Sequence, residues 1–305
     1  MELAVGQAVR LCLTALALYL LGTLAHNLFT SSLRKYAGPK LWPASRLPFL
    51  YYLATGELPQ KVHQLHLRYG PIVRVSPDQL SYTDDAAWKE VYGLRPGKIE
   101  LPKQEMDKLM VPAPDGIHGI LTADHEPHAR YRRLLAPAFS TRALEEQESL
   151  VSSHIDRFIQ SLTDNATKGP LDMMTWFVWL TFDIIGDLSF GESFGCLEKQ
   201  DYHPWIKAIR INIERSPWFQ ALGYYPSVLK MLLRNLPPSV EKARLTDYNL
   251  ARAWVQKRLD RGSREKPDFM SFLLKKDGTE NALQLNEFPP QMLAMVAAGH
   301  ETTAS

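Results

Sequence analysis

The 305-residue chain carries a formal net charge of +2, with 45% hydrophobic and 22% charged residues. These proportions exclude a mostly disordered chain, a collagen-like chain and a multi-span membrane protein. The near-balanced charge offers no dense basic face for nucleic acid. Two cysteines, Cys12 and Cys196, are too few for a disulfide framework or a Cys-based zinc site, and suit a reducing compartment for the main body.

No charged residue lies between Arg10 and Arg34, so residues 11–33 form a 23-residue uncharged stretch. About 20 helical residues cross the hydrocarbon core of a bilayer, so this stretch predicts one transmembrane helix. A cleaved signal peptide is the alternative, because Thr23-Leu24-Ala25 resembles a small-residue cleavage site. The uncharged stretch runs past that site, and the remaining chain holds one cysteine, so the anchor is preferred. Arg34, Lys35, Lys40 and Arg46 follow with no acid before Glu57. The positive-inside rule then places the body on the cytoplasmic side. Residues 1–33 are thus read as the membrane anchor. Residues 34–56, with Gly38-Pro39, Trp42-Pro43 and Leu47-Pro48, are read as a stiff proline-rich hinge, and residues 57–305 as the body.

Residues 57–69 read as a short helix stopped by Gly70-Pro71. Residues 72–75 and 80–82 read as two strands joined at Ser76-Pro77-Asp78. Asp84 is placed to cap a helix over 86–92, and 93–122 reads as a long loop of the kind that carries function. From Ala123 the pattern is helical. Leu150, Val151, His154, Ile155, Phe158, Ile159 and Leu162 recur at helical spacing and predict one buried stripe. Residues 172–189 are apolar on most sides, which predicts a central helix, and further helices are expected in 204–222 and 239–261. Asn286 before Glu287, Pro289 and Pro290 suits a cap for a last helix from Gln291 onward. The fold class is therefore mainly α with a small β-sheet. The helical pattern is still running at Ala304-Ser305, with no capping glycine or closing proline, so a chain cut within this helix is expected. Core helices left uncovered in this way predict instability of the chain alone.

That last helix contains Ala298-Gly299-His300-Glu301-Thr302-Thr303. A glycine inside a helix costs about 1 kcal/mol relative to alanine, so it should have a packing or ligand reason. An acid among apolar residues needs a partner or a task. A satisfied polar patch at a fraying end is the plain alternative. Two metal-site readings fail on spacing. His300-Glu301 would need a second histidine where Ala304 stands, and His125-Glu126-Pro127-His128 has the wrong interval and a proline in the helix. Asn165-Ala166-Thr167 is a glycosylation sequon, expected to be unused in a cytoplasmic body.

The hexapeptide resembles the distal-helix motif of the cytochrome P-450 monooxygenases, Ala/Gly-Gly-x-Asp/Glu-Thr-Thr/Ser. Four further segments agree in order. They are the anchor with its proline hinge, as in microsomal members, and Tyr69-Gly70-Pro71-Ile72-Val73-Arg74-Val75, similar to the family's first strand. The third, residues 128–140, resembles its third long helix, and the fourth, residues 182–191, a segment common in fungal members. The resemblance implies the amino-terminal part of that fold, truncated within the distal helix. It also implies a haem b cofactor, electrons from an NADPH-cytochrome P-450 reductase, and a small lipophilic substrate at the endoplasmic reticulum, with secondary-metabolite biosynthesis as the setting. His128 and Arg132 match the family's Trp/His-x-x-x-Arg pattern and would contact a haem propionate, for which the planar fork of Arg is suited. Arg130 and Arg133 are read as a solvated basic face. Ala298 and Gly299 would leave room for dioxygen, Thr302 would hydrogen-bond it, and Glu301 would help deliver protons. Thr303 is read as structural, and the 93–122 loop matches the family's substrate-recognition loop.

In the family a cysteine thiolate holds the iron, in a loop well beyond the distal helix. Cys196 matches no such pattern and reads as a small buried residue, and Cys12 lies in the membrane span. No metal ligand is therefore assigned within these 305 residues. Three readings follow: part of an active haem-thiolate monooxygenase, a truncated and inactive product, or a non-enzymatic membrane-anchored binding protein.

Overall fold

The computed structural model describes residues 2–93, 101, 115–262, 268–274 and 282–304, with the side chains of 2–4, 243, 244 and 301 outside the description. Most of the 93–122 loop therefore lies outside the described residues. The chain forms two compact units, Met1–Gln104 with Pro217–Tyr225, and Glu105–Ser216 with Pro226–Ser305.

The first unit begins with helix α1, Glu2–Ala25, which continues into a wider-wound turn, His26–Thr30. Val5–Thr30 is long and apolar enough to cross a membrane, and none of it is buried. Next come α2 (Leu41–Ala44), α3 (Leu47–Ala54), α4 (Leu58–Tyr69) and an antiparallel pair, β1 (Ile72–Ser76) and β2 (Gln79–Tyr82). Ile72 faces Tyr82 and Val73 faces Ser81, with an irregular register between Arg74 and Ser76. Gly70, at φ 95°, ends α4 in a backbone conformation that residues with a Cβ rarely adopt. The proline-rich segment departs from the expected spacer. Pro48 sits in the first turn of α3, where its fixed φ starts a helix and its missing N–H costs nothing. Trp42, Phe49 and Leu50 are buried with Leu65, Val73 and Val75, and Trp42 stacks on Tyr52. Burying such side chains is worth about 1.5–3 kcal/mol each, so this segment is part of the unit's core.

The second unit holds α5 (His125–Leu135), α6 (Thr141–Ala166), α7 (Met173–Phe190), α8 (Cys196–Lys199), α9 (Pro204–Gly223, passing into the first unit at Pro217), α10 (Pro226–Arg234), α11 (Pro238–Asp260), α12 (Phe269–Leu274) and α13 (Phe288–Ala304). α7 is central, as its all-round apolarity predicts, with Trp176, Trp179, Leu180, Phe182, Ile185 and Phe190 buried. Asp172 caps it by accepting from Met174 N at 3.2 Å, and left-handed Gly191 ends it. Phe182 stacks on Phe194 at 4.2 Å between centroids.

Several expectations need correction. The buried seam of α6 is Ala143, Gln147, His154, Phe158 and Asn165, while Ile155 and Ile159 are 40% and 54% exposed. Ala143, His154 and Asn165 recur every 11 residues, as do Gln147 and Phe158. That period keeps a narrow seam straight along a helix and leaves the next residue outside it. Asp84 does accept from Ala86 N at 2.9 Å, but the helical turn that follows is the wider-wound Trp88–Tyr92. The cap before α13 is Gln284, not Asn286: Gln284 and Glu287 form a reciprocal capping box around a 3-10 turn, Leu285–Glu287. α8, at four residues, is too short to show a period, whereas α10 was missed although Val228, Leu229, Met231, Leu232 and Leu233 recur at helical spacing. The sequon residue Asn165 is buried, its Nδ2 donating to Ser161 O at 2.8 Å and its Oδ1 accepting from Lys168 Nζ.

Candidate functional site

α13 carries the hexapeptide. Pro289 and Pro290 occupy its first turn, where proline is tolerated. Phe288, Met292, Val296 and His300 recur at four-residue spacing and are buried, so this row faces the core. Ala298, Thr302 and Thr303 lie on an exposed side. The helix approaches α7 closely. A Cβ added at Gly299 would stand 2.7 Å from Ile185 Cδ1 and 2.8 Å from its Cγ1. Beside it Thr181 Oγ1 donates to His300 O at 3.2 Å, and the His300 ring stands edge-on to Phe182 at 5.3 Å. Gly299 thus has a packing reason, contact with α7. Thr302 Oγ1 donates to Ala298 O at 2.6 Å, so these two candidate residues are directly joined. The Glu301 side chain lies outside the described residues.

On α5, His128 is half-buried and Arg132 exposed, one turn apart on one face. Tyr131, Leu134 and Leu135 are buried on another. Arg130 is not part of a solvated basic face. It pairs with Glu287 and donates to Ala282 O at 3.0 Å, because it points toward a buried carboxylate rather than outward. Arg133 is exposed, as expected. Glu287 Oε1 also accepts from Tyr131 Oη at 2.8 Å, and its Oε2 accepts from Gln284 N at 2.8 Å. Burial pushes the Glu287 carboxyl up, but Arg130 and the other donors outweigh it and hold the group below its ordinary value. Burial and the Glu287 carboxylate push the Tyr131 hydroxyl up to about 12. The chain entering α5 is fastened to α13 as well. Ile120 N donates to Gln291 Oε1 at 2.8 Å, and Gly119 lies so close to Pro290 that a Cβ would stand 2.7 Å from its carbonyl oxygen.

The described contacts therefore join α5 to the start of α13 through Arg130, Tyr131 and Glu287, and not through His128 or Arg132. Sequence reading missed this node. Its one signal is an acid three residues after Gln284, the spacing of a capping box.

No group of three or more His, Cys, Asp or Glu side chains gathers around a metal position among the described residues. Cys196 is buried, and burial with the nearby Asp183 charge raises its thiol to about 12. That is the wrong direction for a thiolate ligand. Asp183 accepts from Cys196 N and Leu197 N at 2.9 Å each, which makes this a structural corner. For a haem, the chemistry of the residues is compatible: the exposed Arg132 guanidinium, one turn from His128 on α5, could take a carboxylate, and Ala298 and Thr302 on α13 offer a small exposed surface with one hydroxyl. They do not supply an axial thiolate.

The cytochrome P450 family model matches residues 37–305, and the chain belongs to that family. Its relatives are more particular: fungal P450 monooxygenases. It is 41% identical to cytochrome P450 monooxygenase stcF of Emericella nidulans, over 95% of this chain and 59% of that protein. It is 38% identical to an averantin hydroxylase of Dothistroma septosporum, over 95% of this chain and 54% of that protein. With cytochrome P450 monooxygenase astJ of Aspergillus oryzae it shares 37%, over 92% and 56%. The chain thus spans a little over half the length of the relatives it matches.

Proposed function

We propose that this chain is the amino-terminal part of a haem-thiolate monooxygenase that hydroxylates a small lipophilic molecule in secondary-metabolite biosynthesis. The supporting observation is the family match over 37–305 together with the Thr302–Ala298 arrangement on α13. His128 and Arg132 would hold a haem propionate, Arg132 through its planar fork. When bound, the haem supplies activation of dioxygen. The protein's part is proton handling. Thr302 spends its hydroxyl proton on Ala298 O, so its oxygen lone pairs face outward as acceptors, and it can donate outward only by releasing Ala298 O. Glu301, adjacent in sequence, would be the source of the proton that Thr302 relays. Positioned proton transfer is worth about two to four orders of magnitude in rate.

The exposed apolar α1 and the basic residues after it support a single-pass anchor in the endoplasmic reticulum, with the body on the cytoplasmic side. Electrons would come from an NADPH-cytochrome P-450 reductase on the same membrane. Averantin, the substrate in a relative's name, is the first compound to try. The test is the gene product co-expressed with the reductase in microsomes, scored by the carbon-monoxide difference band of a thiolate-ligated haem and by product per NADPH consumed. Thr302→Ala and Glu301→Gln should lower product about 100-fold while the band persists. Unchanged product in both variants would overturn these roles, and no thiolate band in the parent would overturn the enzymatic reading.

A further inference from the structure

Arg74 lies on β1 and is 1% exposed. A guanidinium at that depth needs acceptors on its donors. Three of the acceptors it finds come from the junction between α1 and the rest of the first unit, or from the turn beside β1. Nη1 donates to Asn27 O at 3.0 Å, and Nη2 donates to Ser31 Oγ at 3.2 Å and to Pro77 O at 2.5 Å. Asn27 and Ser31 are the end of the apolar helix. The wider-wound turn is what frees Asn27 O: Ser31 N donates to His26 O at 3.0 Å, one residue back from the usual helical partner. A cation at the carboxyl end of a helix is also favoured by the helix dipole.

The same residues are tied twice more. Asn27 Nδ2 donates to Ala44 O at 3.0 Å, and Arg74 N donates to Ala37 O at 2.8 Å. Gly38 lies against β1 so closely that a Cβ there would stand 2.6 Å from Arg74 O. The chain leaving α1 is therefore fixed against β1 by backbone contact, and the turn at its end is held by one buried fork.

We propose that Arg74 is a clamp that fixes the angle between the membrane helix and the first unit, and so sets how that unit sits on the bilayer. The inference rests on the membrane reading of α1 given above. Its role is positioning, since it touches the end of the helix and not any reacting group. Lysine cannot replace it, because a single ammonium does not present a planar fork to acceptors on three residues.

The test uses the full chain in lipid nanodiscs, with spin labels at Cys12 and at Leu67→Cys, both exposed in the first unit, and with Cys196→Ala throughout. Cys12 lies 15 residues before Asn27, a lever of about 22 Å at helical rise, so a swing of 20° moves the label by about 8 Å. The parent should give one narrow distance distribution. Arg74→Met should broaden it by about that amount, Arg74→Lys and Ser31→Ala should broaden it less, and all should keep parental far-UV circular dichroism. Equal narrowness in folded Arg74→Met and Ser31→Ala would overturn the clamp. If Arg74→Met does not fold, Ser31→Ala decides alone. Vesicle flotation separates the two claims. Every version should float, and failure of the parent to float would sink the membrane reading itself.

Discussion

Replacing Gly299 by alanine probes the contact that positions the hexapeptide. On intrinsic helix preference the change should stabilise α13 by about 1 kcal/mol. The structure reverses that sign. The new Cβ would stand 2.7 and 2.8 Å from Ile185 Cδ1 and Cγ1 and 3.3 Å from its Cβ, where carbon contacts normally settle at about 3.5–4.0 Å. Ile185 is buried on α7, and β-branching stiffens its side chain, so the crowding is relieved either by forcing that side chain off its preferred rotamer or by shifting a helix. Overpacking of this kind costs about 1–3 kcal/mol. With two carbons crowded, the net loss is placed at about 1–2 kcal/mol, or a melting point lower by about 2–8 °C for a unit of this size. Ile185→Val removes Cδ1 and costs about 1 kcal/mol alone. In the double variant the crowding is partly relieved, so it should be more stable than the sum of the singles by about 1 kcal/mol. Thermal unfolding followed by far-UV circular dichroism reads all four chains. A higher melting point for Gly299→Ala, or strict additivity, would refute a close α7–α13 contact.

The remaining predictions concern buried charge and thiol chemistry. Glu287→Gln should destabilise by about 2 kcal/mol, since it removes the carboxylate that Arg130 and Tyr131 share. Because the folded carboxyl lies below its ordinary value of 4.5, its contribution is complete above that pH and is lost as pH falls through the folded value. The variant should therefore show a flatter acid limb in unfolding curves collected from neutral pH downward, and an unchanged limb would contradict the assignment. Arg258→Met strips the partner from Asp268, both 2% exposed, and should cost about 3–5 kcal/mol in urea unfolding. Cys196 should resist a hydrophilic maleimide until denaturant is added, as its burial and its thiol near 12 require, and mass spectrometry counts the modified thiols.

Much of the helical body is legible because its signals are local. The all-round apolarity of 173–190, the Gly70-Pro71 stop and the Ser76-Pro77-Asp78 turn each act within a few residues. What escapes is decided across the chain. Arg130 reads as a surface cation until Glu287, 157 positions on, is placed beside it. Pro43 and Pro48 read as breakers until the structure shows both in the first turns of helices that bury Trp42 and Phe49. Ile155 and Ile159 fit a helical stripe equally well whether or not a neighbour covers them. The candidate site divides in the same way. The motif around Gly299 and Thr302 is visible as residue types, but the Ile185 contact and the Ala298 hydrogen bond appear only when α7 and α13 are side by side.

The most direct test of the monooxygenase reading is the mature transcript sequenced past the codon for Ser305. An open frame that runs on into a cysteine-bearing loop is the expected result, because in the family the thiolate comes from a loop beyond the distal helix and neither Cys12 nor Cys196 matches it. A stop immediately after Ser305 would contradict it, and would leave His128, Arg132, Glu301 and Thr302 without a haem to serve.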